Sequence, residues 1–105
     1  MGTTRSLVLE AETDEVRVGD SVTFRVRDRM RNPVEGATVI SRQKRVRTDE
    51  TGRCRLAFHS PGFWSITAIK SSEGNLSYKP GTAAVRAITR PAAFQRVRRI
   101  AAYSE

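Results

Sequence analysis

The chain is poor in the residues that usually carry chemistry. Its 105 residues include one cysteine, Cys54, and one histidine, His59. A single thiol excludes an internal disulfide, which fits a reducing compartment. One Cys and one His also fall short of the four ligands of a structural zinc site. The two lie five apart on one expected strand, so their side chains point to opposite faces and form no nucleophile–base pair. No Ser–His–Asp spacing stands out either. The seven glycines occur singly at turns, not in a loop that cradles phosphate. The expectation is no catalysis, no metal, no cofactor and no small-molecule substrate.

Long apolar runs are missing too. Nothing approaches the roughly 18 residues of a membrane span, and the opening MGTTRSLVLEAET lacks the apolar stretch of a secretory signal. The expectation is a soluble cytoplasmic protein or a module excised from a longer chain. Glu10, Glu12, Asp14 and Glu15 form an acidic patch without the spacing and central Gly of a helical calcium loop. They read as a solvated strand edge. Heptads, repeats and low-complexity tracts are also missing.

What the chain does have is arginine. Cations number 19 against 11 acids, for a formal net charge of +8. Only Lys44, Lys70 and Lys79 are lysine; the other cations are arginines, whose planar fork suits phosphates and carboxylates. The charge is segregated. Residues 1–24 hold two cations and five acids, and residues 25–47 hold eight cations and two acids. The last stretch, 86–105, holds five arginines and Glu105. Solubility alone gives little reason for such segregation.

The pattern along the chain is strand-like. Val22, Phe24 and Val26 alternate with Thr23, Arg25 and Arg27, a period of two with β-branched and aromatic residues on one face. Cys54, Leu56 and Phe58 alternate with Arg53, Arg55 and Ala57, so Cys54 reads as a small buried hydrophobe. Trp64, Ile66 and Ala68 form a third such face. Further strands are expected over 6–12, at Val16–Val18, over 37–42 with a hairpin tip at Gln43-Lys44-Arg45, and over 82–89. Turn signals stand at Gly19-Asp20, Asn32-Pro33, Glu35-Gly36, Thr48 to Gly52 and Ser60-Pro61-Gly62. Residues 71–81 read as a loop. Strand-sized segments at this spacing predict a single all-β antiparallel sandwich of about seven strands over residues 1–89. A basic tail, 90–105, follows.

The segments VRVGDSVTFRV, NPVEGATV, TDETGRCRLAF and PGFWSITAIK resemble the Ig-like and prealbumin-like β-sandwich modules known as carboxypeptidase-regulatory-like and bacterial or archaeal Ig-like domains. The resemblance covers Val16 to Lys70, about half the chain. It implies the sandwich fold and the role of a spacer, adhesive unit or accessory domain. It brings no catalytic residues. A solitary domain with a basic tail departs from that pattern.

The basic positions are the candidate site. Arg25 and Arg27 share one outward strand face, Arg53 and Arg55 another, and Arg29 and Arg31 continue into a turn. Arg42, Lys44, Arg45 and Arg47 crowd the expected hairpin tip. Arg90, Arg96, Arg98 and Arg99 charge the tail. A cationic hairpin on a rigid sandwich suits a phosphate backbone; the same charges also guard strand edges and aid solubility. Three readings of the tail stand: a helix docked on the sandwich, an arm that orders on a polyanion, and a short amphipathic helix at a membrane surface. Phe94 and Tyr103 there are suited to stacking on unpaired bases. The leading expectation is a non-enzymatic, RNA-binding, ribosome-associated module for ribonucleoprotein particles. The alternative is a structural or adhesive protein–protein module of a surface or virion assembly. An acidic protein partner would use the same arginines.

Overall fold

The computed structural model describes residues 2–89, which form ten β-strands and no helix. These are β1 (Thr3–Ser6), β2 (Val8–Ala11), β3 (Glu15–Arg17), β4 (Ser21–Arg27), β5 (Thr38–Ser41), β6 (Lys44–Arg47), β7 (Arg53–Ala57), β8 (Gly62–Ile69), β9 (Leu76–Lys79) and β10 (Gly81–Ile88). A five-stranded sheet runs β3-β10-β8-β5-β6 and a three-stranded sheet runs β2-β4-β7. A two-stranded ribbon, β1-β9, stands beside them. The fold is an all-β sandwich, as the alternation predicts.

The alternating residues fill the space between the two large sheets. Phe24 of β4, Phe58 after β7 and Trp64 of β8 form its aromatic centre, with ring centroids 6.4 Å and 4.9 Å apart along that series. Val22, Val26, Leu56, Val39, Ile66 and Val85 close around them. Each large side chain buried this fully contributes roughly 1.5–3 kcal/mol. The Trp64 indole N–H does not go unpaired: it donates to the Ser60 carbonyl at 3.0 Å.

Four sequence expectations need correction. The strand count is ten, not about seven. The pairing is not wholly antiparallel, because β1 runs parallel to β9 and β3 parallel to β10. The strand expected over 6–12 breaks in two at Leu7. There the chain leaves β9, with the Leu7 N–H donating to Lys79 O at 2.9 Å, and joins β4 instead. The crossing works only because Gly81 lacks a side chain, since a Cβ there would stand 2.4 Å from Leu7 O. Finally, the loop expected over 71–81 contains β9. Its polar, Gly-flanked sequence hides a strand whose partner lies more than seventy residues away, at the N-terminus.

The hairpin between β5 and β6 turns at Arg42-Gln43, one residue before the expected tip. Arg42 takes φ 54°, a left-handed conformation that costs a non-glycine residue roughly 1–2 kcal/mol. Its guanidinium lies 3.7 Å from the Trp64 ring centroid, a cation–π contact of about the same size that offsets this cost.

The link from β6 to β7 crosses from one sheet to the other in five residues. Thr48, buried, donates to Val34 O (2.7 Å) and accepts the Ala37 N–H (2.9 Å). Gly52 sits at φ 77°, and a Cβ there would meet Val26 O at 2.6 Å. Gly52→Ala therefore combines left-handed strain with a backbone clash and should destabilise the domain by about 2–4 kcal/mol, a drop in Tm of roughly 10–20 °C. Thermal melting checks this; a melt within about 3 °C of wild type would show that the crossing tolerates a side chain.

Candidate functional site

Arg42 lies in the β5–β6 turn, with Lys44, Arg45 and Arg47 on the strand that leaves it. Arg42 is held on Trp64, and the Lys44 ammonium, half-buried, donates to the Ala57 carbonyl across the open side of the sandwich. Arg27 pairs with Glu10 across the β2–β4 ladder. Arg29 and Arg31 occupy the loop after β4, where Arg31 adopts φ 70°. Arg90, Arg96, Arg98 and Arg99 lie outside the described residues.

The remaining candidates lie on strands at one lateral edge, Arg45 and Arg47 on the outer face of the five-stranded sheet and Arg25, Arg53 and Arg55 on that of the three-stranded sheet. β6 ends the five-stranded sheet and β7 ends the three-stranded one, and the two strands lie against each other. Alternation exposes Arg45 and Arg47 on β6, and Arg53 and Arg55 on β7. Val46, Cys54 and Leu56, the residues between or after them, turn inward. One row behind, Arg25 on β4 stands directly opposite Arg53 in the ladder. Like charges directly opposed on a sheet face repel, yet among the described residues no ion pair within 4.0 Å involves Arg25, Arg45, Arg47, Arg53 or Arg55. The Arg55 guanidinium donates to Ser21 Oγ at 3.2 Å, which fixes its direction without neutralising it. These five arginines make no ion pair within 4.0 Å among the described residues, although the Asp49 carboxylate lies within reach of the Arg53 charge.

The sequence pattern shows that Arg53 and Arg55 point outward. What it cannot show is that β6 and β7 are neighbours, because that contact joins the edges of two different sheets. It equally hides the loss of Arg42 and Lys44 to Trp64 and Ala57.

Two carboxylates shape the surroundings. Asp49 begins the crossing turn, and its Oδ1 accepts from Thr51 Oγ1 (2.6 Å), the Thr51 N–H (2.8 Å) and the Arg53 N–H (3.1 Å). These bonds, from the Thr51 hydroxyl first, hold its carboxyl below the usual range. Asp28 is buried beneath the Arg29–Arg31 loop. Burial pushes its carboxyl up, but hydrogen bonds from the Asn32 N–H (2.9 Å), the Asn32 amide (3.3 Å) and the Met30 N–H (2.8 Å), with Arg5 at 4.0 Å, hold it down overall. Cys54 faces inward, and burial, helped by the charge of Asp49, pushes its thiol up to about 11. Among the described residues no cluster of three His, Cys, Asp or Glu is placed to hold a metal ion. Among the described residues no helix is long and apolar enough to cross a membrane.

Because the folded Asp28 carboxyl titrates below its unfolded value near 3.9, its stabilisation is present above about pH 4 and fades as pH falls through the lower folded value. Asp28→Ala should cost about 1.5–3 kcal/mol at pH 7, and the gap to wild type should narrow at pH 3. Urea unfolding at the two pH values measures it; a gap that does not narrow would remove the carboxylate's charge from the account. Cys54 should label with a thiol-specific dye at least ~100-fold more slowly than an exposed thiol at pH 8 until urea unfolds the domain.

No known family model matches this chain, and no curated protein matches it in sequence.

Proposed function

We propose that this chain is a non-enzymatic binding module for a polyanion, with the phosphate backbone of RNA in a ribonucleoprotein particle as the ligand class and the β6/β7 edge as its contact surface. One observation carries the reading: Arg45, Arg47, Arg53 and Arg55 stand exposed on two adjacent edge strands, with no ion pair within 4.0 Å among the described residues and with Arg25 behind them. Strands hold the four Cα atoms rigidly, so the spacing from which the four side chains reach is set before a ligand arrives. Alternate residues on a strand are about 6.5–7 Å apart, close to the phosphate spacing of a nucleic-acid strand. Guanidinium forks take phosphate oxygens two at a time. Contacts of this type neutralise and position without reading sequence. The tail arginines Arg90, Arg96, Arg98 and Arg99 would extend the same charge, and a cytoplasmic ribosome-associated role accords with it. The sandwich, similar to Ig-like modules in its turn motifs, would be the scaffold.

A second reading has an observation of its own. The outer face of the five-stranded sheet carries Thr67, Thr82 and Ala84, with Phe63 76% exposed, and these support a structural or adhesive protein–protein module. Phe63→Ser would weaken a protein partner's binding and leave RNA binding alone.

Fluorescence-anisotropy titrations of the full chain with a structured RNA between 50 and 300 mM salt test the first reading. Four phosphate contacts give a log–log slope of about −3 to −4. The quadruple variant Arg45→Gln/Arg47→Gln/Arg53→Gln/Arg55→Gln should lose most of that slope while melting as a folded domain. Unchanged affinity in this variant would remove the edge from the model.

A further inference from the structure

The sandwich has a second lateral edge, and its charge is opposite. β2 ends the three-stranded sheet and β3 ends the five-stranded one, on the side away from β6 and β7. Glu10, Glu12, Asp14 and Glu15 are all exposed there. Glu10 is shared with Arg27, and Glu15 lies 3.8 Å from Arg86, while Glu12 and Asp14 make no ion pair within 4.0 Å among the described residues. Segregation along the sequence thus carries into the fold: the β2/β3 side holds these four acids with Arg17 and Arg86, and the β6/β7 side holds Arg45, Arg47, Arg53 and Arg55 with Asp49 and Glu50.

On the three-stranded layer the two edges match in row as well as in sign. On the outer face of the three-stranded sheet, the β2 column holds Glu10 and the β7 column holds Arg53 and Arg55, two strands away. On the outer face of the five-stranded sheet, Glu15 of β3 shares its side with Arg45 and Arg47 of β6. A second copy set beside the first would bring β2 against β7, with Glu10 in the row of Arg53; Glu15 lies in the row of Phe63, four residues along β8 from the row of Arg45, so acid meets arginine in the three-stranded layer. All four are edge strands, which present backbone groups to whatever lies alongside.

We infer that a second copy of this chain docks its acidic β2/β3 edge on the arginine β6/β7 edge of the first, head to tail. Such a contact is heterologous, so each pair keeps one free edge of each sign and assembly continues into a ring or a filament. The net charge of +8 opposes association over long distances. At about 0.1 M salt the Debye length is about 10 Å, so facing edges attract while the remaining charge is screened. The inference does not rest on RNA being a ligand.

Sedimentation equilibrium of the full chain tests it. Wild type should show a mass that rises with concentration at 0.1 M salt, with association falling at least tenfold at 0.5 M. The acid-edge variant Glu12→Gln/Asp14→Asn/Glu15→Gln and the arginine-edge variant Arg45→Gln/Arg47→Gln/Arg53→Gln/Arg55→Gln should each be monomeric alone. Mixed, they should form a heterodimer and nothing larger, because one intact edge of each sign remains. Misfolding cannot imitate that rescue. A wild type that stays monomeric to millimolar concentration, or variants that associate alone or fail to pair when mixed, would overturn the inference. The RNA titration separates the two ideas: the acid-edge variant should bind RNA at least as tightly as wild type.

Discussion

The crossing from β6 to β7 is the constraint on which the arrangement of this protein depends. Five residues carry the chain from the edge of one sheet to the edge of the other, and little slack is available. Thr48 spends its hydroxyl on Val34 and Ala37, Asp49 spends its carboxylate on Thr51 and Arg53, and Gly52 leaves its Cβ space to the Val26 carbonyl. The Val26 N–H in turn donates to Gly52 O at 2.7 Å, tying the crossing to β4. The buried Thr48 hydroxyl would otherwise be a polar atom at the rim of the core without a partner, at a cost of about 1–3 kcal/mol. A short, fully bonded crossing also sets the phase of alternation on both sides. Val46 and Cys54 point in, so Arg47 and Arg53 must point out. The arginine edge is a by-product of closing the core.

That dependence explains which parts of the fold were legible in the sequence. β4 and β7 declare themselves, because a half-buried strand must alternate and Val22-Phe24-Val26 and Cys54-Leu56-Phe58 do so. The glycine and aspartate of the Asp49–Gly52 turn are likewise visible, since each residue type answers a local backbone need. β9 is not visible: Leu76-Ser77-Tyr78-Lys79 is half-exposed, sits among Ser, Gly and Asn, and is made a strand by pairing with β1. Leu7 is a comparable case. Nothing in SLVLEAE marks where one sheet ends and another begins, because the deciding contact is with Gly81, far along the chain.

The candidate site was legible in composition and not in assembly. Eight cations in residues 25–47 mark a basic region correctly, but folding assigns them different tasks. Arg42 offsets its own backbone strain by lying on Trp64, Lys44 closes the open side of the sandwich at Ala57, and Arg27 takes up Glu10. The pair that remains most exposed to repulsion, Arg25 against Arg53, joins a residue of the basic stretch to one outside it. Charge counted along a sequence window therefore overstates the hairpin and misses the edge. What matters electrostatically is which cations keep neither a carboxylate nor an aromatic face once the core has closed.

Leaving those cations bare has a consequence for how the two proposed uses of the edge relate. Bare arginines on edge strands already discourage indiscriminate strand pairing, since two like edges repel. The same edge admits an acidic edge of another copy or a phosphate backbone, and both would occupy Arg45, Arg47, Arg53 and Arg55. Sites that share residues are coupled negatively, and the coupling is reciprocal: whatever self-association takes from polyanion affinity, polyanion must take from self-association. The acidic edge then acts as an internal competitor that lowers apparent affinity for weak anions and yields to long ones, because a longer phosphate run gains entropy from each counterion released while the protein edge offers only a few carboxylates. Charge placed this way would select for ligand length with no sequence-reading contact at all.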